Sequence, residues 1–424
     1  MQVVYISWRF ILLVVLALSP LVFSPRAFSA PENAETLRAL SSFLKQIERN
    51  HPRIRSSQAE LDASKARLRA ASKPLYNPTL ELDAERIDLH EDDTDTLMLG
   101  IAQTFDWHDK RGAQRDVANI SQQIIRFEQE VIHQRLVADI FSALAGYQVQ
   151  RELIQVLDKR LLLNERMLSQ ASQRYKAGDI SRLDVEQIRL SFTKAELAHN
   201  EGESELNARG RILSEAVGET RKIWPLLPLE PPRILFKKID FDSILSTLPG
   251  LKAEYVRVIK ERSTVRLKLL EKKPDPTIGL RAGGENSNTV IGLSFSIPLT
   301  IRNGFRAEVD EAEANLRRAE SELLEMQHLY LVRLKSSAQA YQLAYLGWQS
   351  WQKIAGTSMQ EQDRLLMRFW KVGELSTSDY LVQLNQLKEA EINNVKLKEN
   401  IWKAWFSWLA ISGQFNQWLN GEIK

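Results

Sequence analysis

The sequence predicts a mixed α and β protein, in which four amphipathic strands accompany very long coiled-coil helices in an internally duplicated chain. Three observations predict this class: motifs that occur twice, strand-length segments in which apolar and polar residues alternate, and two long proline-free stretches with helical periodicity. The matching motifs lie roughly 190 to 200 residues apart and in the same order. A period of that length indicates a duplicated unit of domain size rather than a solenoid repeat.

The duplicated motifs set the predicted domain boundaries. The matched pairs are Asn77-Pro78-Thr79-Leu80-Glu81-Leu82 with Asp275-Pro276-Thr277-Ile278-Gly279-Leu280, Arg111-Gly112 with Asn303-Gly304, and Tyr175-Lys176-Ala177-Gly178 with Trp370-Lys371-Val372-Gly373. The prolines between Lys222 and Lys238 predict a linker between the repeats. We therefore expect a first repeat over residues 31–221, a linker over 222–240, a second repeat over 241–413 and a tail over 414–424.

The first 30 residues have the layout of a cleaved secretory signal. Arg9 precedes an apolar run from Phe10 to Leu18 that is too short to span a bilayer, and small residues at Ser29 and Ala30 follow. We expect cleavage near these two residues and an exported protein. An uncleaved anchor helix is the alternative.

Composition excludes several classes of function. The chain has no cysteine, which excludes disulfides, cysteine-based zinc sites and an N-terminal lipidated cysteine. The signal holds two of the 57 basic residues and none of the 54 acidic ones, so the remainder has a net charge of +1 and nucleic acid is not an expected partner. After the signal no stretch approaches 18 consecutive apolar residues, so strands would have to make any membrane crossing.

Two pairs of segments alternate as strands of membrane-spanning length. Residues 78–87 and 96–107 alternate clearly, and residues 276–282 and 289–298 repeat the pattern more weakly. The polar side of the first segment carries Glu81, Asp83 and Glu85, which we expect to face a water-filled lumen. A pair of half-buried hairpins in a globular sheet is the alternative.

Each pair of strands precedes a long helical segment. The segments from Gly112 to Gly178 and from Gly304 to Gly373 have apolar residues at steps of three and four, and each would make a helix of about 100 Å. Gly146, Gly347 and Gly356 are candidate bends within them. Trp402, Trp405 and Trp408 in the last helix are expected to pack against neighbouring helices.

Each long segment ends in the same turn. Gly178 and Gly373 suit the left-handed position that ends a helix. The pairs Ser181 with Asp184 and Ser376 with Asp379 have the spacing of a capping box for the next helix. We therefore expect two sharp helix hairpins. Their tips are candidate docking surfaces, and the two aspartates are candidates for a ring of charge in an oligomer.

An enzymatic function has no support in the sequence. The six histidines contain no pair at helical ligand spacing, and no nucleophile, Walker-type or dinucleotide glycine motif occurs. The acidic segment His90-Glu91-Asp92-Asp93 has one histidine without ligand spacing, so a solvated loop is the favoured interpretation. We expect no catalytic, metal or cofactor site.

Together these residues resemble the TolC-type outer-membrane efflux factors of Gram-negative bacteria, over nearly the whole chain after the signal. The resemblance rests on the duplicated order, on Asn77-Pro78, on the two tip glycines and on the aspartates six residues after each. The chain is most similar to the CzcC-like heavy-metal branch, through residues 103–111 and 296–304. Two features depart from that branch: Asp106-Trp107-His108-Asp109 replaces a Glu-Leu-Gly-Gly type sequence, and no phenylalanine stands between Leu299 and Arg302.

The resemblance implies a homotrimeric α/β-barrel with four transmembrane strands per chain and a helical tunnel in the periplasm. It implies outer-membrane lipid as surroundings, a periplasmic adaptor protein at the hairpin tips, and an inner-membrane pump of RND type. The chain would be a passive exit duct, with metal cations as the expected substrate. Export of drugs or type I protein secretion would use the same fold, and a periplasmic coiled-coil structural or adaptor protein is the alternative of another class.

Overall fold

A computed structural model describes residues 29–87, 94–234, 236, 239–285, 288–355 and 358–423. The predicted signal lies outside these residues except for its last two, which begin the first helix. The predicted acidic loop His90-Glu91-Asp92-Asp93 also lies outside them.

The described residues form ten helices and four strands. The helices are α1 (Ser29–Asn50), α2 (Pro52–Ala71), α3 (Lys110–Lys176), α4 (Arg182–Val217), α5 (Phe241–Thr247), α6 (Pro249–Glu271), α7 (Arg306–Ala355), α8 (Ser358–Val372), α9 (Thr377–Ser412) and α10 (Phe415–Leu419). The strands are β1 (Thr79–Ile87), β2 (Thr94–Thr104), β3 (Thr277–Glu285) and β4 (Asn288–Ser296).

The order helix, strand, strand, long helix, returning helix occurs in α2 to α4 and again in α6 to α9. Helix α3 runs unbroken for 67 residues, about 100 Å, as its proline-free sequence allows. In the second half, α7 has 50 residues up to Ala355 and α8 has 15 from Ser358. Residues 356 and 357, with the candidate bend Gly356, lie outside the described residues, so a single long helix up to Gly373 stays a prediction. None of the described helices is both long and apolar enough to cross a membrane.

Helix α3 begins where it does because two aspartates satisfy its first amide groups. Asp106 accepts hydrogen bonds from the backbone N–H groups of Lys110 and Arg111 at 2.8 and 2.9 Å, and Asp109 accepts one from Gly112 at 3.2 Å. A Cβ at Gly112 would lie 2.2 Å from that carboxylate, so a larger residue would require the Asp109 side chain to move. The segment that departs from the CzcC-like pattern is therefore the N-terminal cap of α3.

Gly146 of α3 lies beside an arginine that pairs α4 with α9. A Cβ at this position would lie 2.8 Å from Arg209 Nη1. From α4, Arg209 reaches Glu399 on α9 at 2.5 Å and Glu205 on its own helix at 2.8 Å. Gly146 lies within the continuous helix α3, and a bend at this position stays a prediction.

The strands form one antiparallel sheet in the order β1-β2-β3-β4. The central pair joins the two halves of the chain, with Leu99 opposite Ala282. Strands β1 and β4 are the two edges of this sheet. The alternation in the sequence finds all four strands, but their ends differ. The structure extends β3 by three residues to Glu285, ends β2 at Thr104 rather than at residue 107, and ends β4 at Ser296 rather than at residue 298.

The main hydrophobic core lies among the helices and is dominated by aromatic rings. Trp402, Trp405 and Trp408 are 1%, 0% and 0% exposed, which confirms that they pack inside. Phe141 of α3 stacks on Phe406 with ring centroids 5.6 Å apart. The predicted linker contributes Trp224 and Leu227 to this core. The core therefore fastens the linker and both halves together, because its members come from all of them.

Candidate functional site

The sheet leaves one of its two faces apolar and open. Leu82, Leu99, Ala282 and Ile291 lie in one row across the strands, since directly paired residues share a face. The large apolar side chains of this face are between 46% and 78% exposed: Leu80, Leu82, Leu97, Leu99, Ile101, Ile278, Leu280, Ile291, Leu293 and Phe295. A continuous apolar surface of this kind marks contact with a membrane or a partner.

The opposite face of the sheet is polar. Glu81, Asp83 and Glu85 of β1 all lie on it and are exposed, facing Gly100, Met98 and Thr96 in the paired strand. The structure thus brings the three predicted carboxylates together on one face. That this face lines a lumen stays a prediction.

Two further charged residues of the polar face escaped the sequence analysis. Glu285 lies in the same row as Glu85, and Arg281 lies in the same row as Glu81. The alternation in the sequence predicted a third strand that ends at residue 282, which left Glu285 in the following turn. Continuing that alternation in steps of two, from Arg281 through Gly283, would have placed Glu285 on this face.

The first hairpin tip has the predicted turn. Gly178 has φ 85°, the left-handed conformation that favours glycine. Ser181 Oγ accepts a hydrogen bond from Asp184 N at 3.2 Å, and Asp184 Oδ2 accepts one from Ser181 N at 3.0 Å. The capping box is therefore complete.

The second hairpin tip repeats this geometry. Gly373 has φ 82°. Ser376 Oγ accepts a hydrogen bond from Asp379 N at 3.1 Å and donates one to Asp379 Oδ2 at 2.7 Å. The six predicted tip residues therefore form two turns of one type.

The two tips pack against each other through a shared cluster. This tip cluster consists of Met167, Ala171, Val185, Ile188, Leu366, Trp370, Tyr380, Leu381 and Leu384. Trp370 stacks on Tyr380 with centroids 5.2 Å apart, and Arg174 lies 5.6 Å from the Trp370 ring on the other hairpin. Hydrogen bonds from Ser181 and Thr377 hold the pKa of Asp184 below its usual value. Both hairpins thus present their ends side by side.

A third cluster joins the sheet to the helices. Lys110 Nζ lies 2.9 Å from Asp275 Oδ2, and the side chains of these residues are 9% and 3% exposed. His108 Nδ1 lies 3.7 Å from Asp275 Oδ1. Burial raises the pKa of Asp275, but the hydrogen bonds from Lys110 and Tyr76 outweigh it and hold the pKa below its usual value. The sequence analysis did not identify this cluster, because its members come from three separate segments.

Metal ligation has no cluster to support it in the part of the chain that the structure describes. No group of three or more histidine, aspartate or glutamate side chains there is placed to hold an ion.

Residues 43–219, which span most of α1 through α4 with β1 and β2, match the family described as outer membrane efflux protein. No curated protein matches the sequence.

Solved structures match over nearly the full length of the chain. CusC, described for its folding and transmembrane channel formation, is 12% identical, with a TM-score of 0.75 over 90% of this chain and 92% of its own. The outer membrane protein VceC from Vibrio cholerae is 16% identical, with a TM-score of 0.70 over 88% and 96%. The CmeC outer membrane channel from Campylobacter jejuni is 12% identical, with a TM-score of 0.74 over 89% and 86%. This chain therefore has the fold of these proteins.

These likenesses confirm the expected TolC-like fold, a predominantly helical chain with a small antiparallel sheet. The CzcC-like branch, the trimer and the duplication stay predictions from the sequence.

Proposed function

We propose that this protein is the outer-membrane channel of a tripartite efflux system, a passive duct from the periplasm through the Gram-negative outer membrane. The observation that carries the proposal is the two-faced sheet, with exposed leucines and isoleucines on one face and carboxylates on the other. That pattern suits strands with lipid on one side and a water-filled lumen on the other. The family match over residues 43–219 and the shared fold support it.

The proposed assembly is a homotrimer. A four-stranded sheet cannot close on itself, and open edges cannot stand in lipid, where unpaired backbone groups are costly. Three copies would supply twelve strands to one barrel, an even number as such barrels have. The long helices would continue this barrel as a tunnel through the periplasm.

The hairpin tips are the proposed periplasmic entrance and adaptor-binding site. Gly178, Ser181 and Asp184 form one turn, and Gly373, Ser376 and Asp379 form the other. The tips lie side by side, so three copies would present six similar turns to an adaptor ring. The adaptor would connect the channel to an inner-membrane pump of RND type, which supplies the energy.

Metal cations are the proposed substrate. The polar face of the sheet carries Glu81, Asp83, Glu85 and Glu285, which would attract cations into the lumen. The resemblance to the CzcC-like branch points the same way. Drug efflux or type I protein secretion would need no different fold, so the substrate must be determined by export measurements.

The test combines location, assembly and transport. The protein should fractionate with the outer membrane, and its mass in mild detergent should be that of three chains. Deleting its gene should raise cellular levels of a divalent cation such as Zn²⁺ in medium that contains the metal. Unchanged metal content, together with increased retention of drugs or of a secreted protein, would show that the substrate is a drug or a protein rather than a metal cation.

A periplasmic structural or adaptor protein is disfavoured by the open apolar face. Such a protein would expose these side chains to water, at a cost of roughly 25 cal/mol per Å² of apolar surface. Release of the protein from washed membranes without detergent, as a stable monomer, would contradict the channel and support that alternative.

A further inference from the structure

One row of the polar face holds a single arginine between two glycines. The paired residues across the four strands are Glu81, Gly100, Arg281 and Gly292. Neither neighbour of Arg281 in this row has a side chain, so the arginine has free space on both sides.

The side chain of Arg281 lies over Gly292. A Cβ built on Gly292 would come within 3.2 Å of Arg281 Nε and 3.3 Å of its Cγ. On the other side, the three atoms nearest to a Cβ on Gly100 include the Arg281 Cβ, at 3.3 Å, and no atom further along the arginine side chain. The guanidinium group therefore extends toward β4 and away from Glu81 of its own chain.

Strand β4 is an edge of the sheet, and β1 is the other edge. In a closed ring of identical chains, β4 of one copy must pair with β1 of the next, because the other strands are already paired on both sides. Two strand spacings separate Arg281 from that neighbouring strand, about 10 Å, which the combined lengths of an arginine and a glutamate can bridge.

We propose that Arg281 forms an ion pair, across the seam between two copies, with a carboxylate of strand β1 in the neighbouring copy. Strand β1 carries Glu81, Asp83 and Glu85 on the same polar face at steps of two residues, so an acceptor stands within reach over several registers of the seam. The site is incomplete in one chain, because the partner carboxylate comes from a second copy. This inference rests on the proposed trimeric channel and identifies a contact that stabilises the closed ring of three chains.

The first test is charge reversal. Arg281→Glu should lower the temperature at which the trimer dissociates in detergent by several degrees, because like charges would then face each other across the seam. Combining it with one of Glu81→Arg, Asp83→Arg or Glu85→Arg should restore the temperature. Arg211→Glu is the matched control, since Arg211 is a helical residue whose side chain is 71% exposed, and it should leave the trimer unchanged.

The second test uses the absence of cysteine from the chain. Val290→Cys on β4 is combined in turn with a cysteine at Glu81, Asp83 or Glu85. Within one chain β1 and β4 are separated by two strands, more than a disulfide can span, so an oxidised product must join two copies. A covalent trimer on a denaturing gel is the expected result for at least one pair.

The outcomes separate this inference from the proposed function. A wild-type protein that is monomeric in detergent overturns both. A wild-type trimer that cross-links between β4 and β1 but does not respond to Arg281→Glu supports the channel and overturns the ion pair. A trimer that is weakened by Arg281→Glu, and that none of the three reversals restores, also overturns the pairing.

Discussion

Tyr76 donates a hydrogen bond of 2.8 Å to Asp275 Oδ2 across 199 positions of the sequence. Tyr76 lies just before β1, and Asp275 lies just before β3. Lys110 at the start of α3 reaches the same oxygen at 2.9 Å. Burial and the carboxylate raise the pKa of Tyr76 to about 12, so the phenol keeps its proton at neutral pH and remains a donor. The Asp275 carboxylate thus holds the starts of both β-hairpins at the N-terminal end of α3.

We expect Asp275→Asn to be strongly destabilising. The substitution leaves the Lys110 ammonium group, whose side chain is 9% exposed, without its counter-charge. Breaking a buried pair in this way costs about 3–5 kcal/mol of the free energy of unfolding. Tyr76→Phe is the control, because it removes one hydrogen bond to a charged group and should cost less, about 1.5–3 kcal/mol. Denaturant unfolding at fixed protein concentration measures both, and equal costs would contradict the role of the lysine.

The stability of the α1–α2 corner should depend on pH through His51. Its Nδ1 accepts a hydrogen bond from Arg53 N at 3.2 Å, and its Nε2 lies 3.2 Å from Ala216 O, an arrangement that needs a neutral ring. Burial lowers the pKa of His51 below 6.5. At pH values between the lowered pKa of the folded state and 6.5, the unfolded chain binds more protons than the folded one. The contribution of His51 to stability is therefore present above pH 6.5 and decreases as the pH falls below it.

The measurement is the difference in thermal unfolding midpoint between wild type and His51→Asn at pH 7.5 and pH 5.5. Taking the difference cancels the pH dependence that the two proteins share. The difference in unfolding midpoint between the two proteins should be smaller at the lower pH. A gap that is constant or that widens would show that the neutral ring contributes nothing specific.

We expect Gly178→Val to reduce efflux while the trimer survives. Nothing lies within 4 Å of a Cβ at this position, so the penalty arises from the backbone, where φ is 85°. A left-handed conformation costs a non-glycine residue about 1–2 kcal/mol, and more for a β-branched one. Gly178→Asn should be milder, because asparagine tolerates this region. Loss of the trimer in Gly178→Val would mean that the tip is structural only and would remove the docking proposal.

The apolar face is tested by an arginine placed at Leu293, a side chain that is 78% exposed. Leu293→Arg should impair membrane assembly at a cost of about 2–4 kcal/mol if this face meets the middle of the bilayer. Ser294→Arg is the matched control, because Ser294 is the next residue of the strand and faces the polar side. Heat-modifiable migration on gels measures assembly. If Ser294→Arg impaired assembly more than Leu293→Arg, the assignment of the two faces would be reversed. The same comparison applies to Leu99→Arg.

Neutralising the acidic side chains of the polar face should reduce cation selectivity. The triple change Glu81→Gln, Asp83→Asn and Glu85→Gln removes three carboxylates per chain, and adding Glu285→Gln removes the fourth. Current measurements in planar bilayers under a salt gradient should show a stepwise fall in the ratio of cation to anion permeability. Unchanged selectivity would place the limiting constriction elsewhere, for example at the hairpin tips.

Local rules predicted the elements that depend on local forces. The glycines and serine caps of the tips follow from residues within seven positions of each other, and both turns have them; the reciprocal bond of the capping box is formed at the first tip. The strands were found because side chains alternate between the two faces of a strand, so an apolar and a polar face give a period of two. For the same reason their side chains are correctly divided between the two faces.

The features that were not predicted from the sequence depend on contacts between distant segments. Gly146 lies beside Arg209, 63 positions later on α4, where a Cβ would come within 2.8 Å of Nη1, and no local pattern shows this contact. Similarly, Asp275 was noted only as the start of a repeated motif. Its burial with Lys110 becomes visible once β2 and β3 pair, since that pairing brings residues near 110 and 275 together.

The aromatic core around Trp402, Trp405 and Phe141 contains no strand residue among those that the structure describes. The interior of the helical part is therefore filled without side chains from the described residues of β1 to β4. Substitutions on either face of these strands can accumulate without touching the aromatic core.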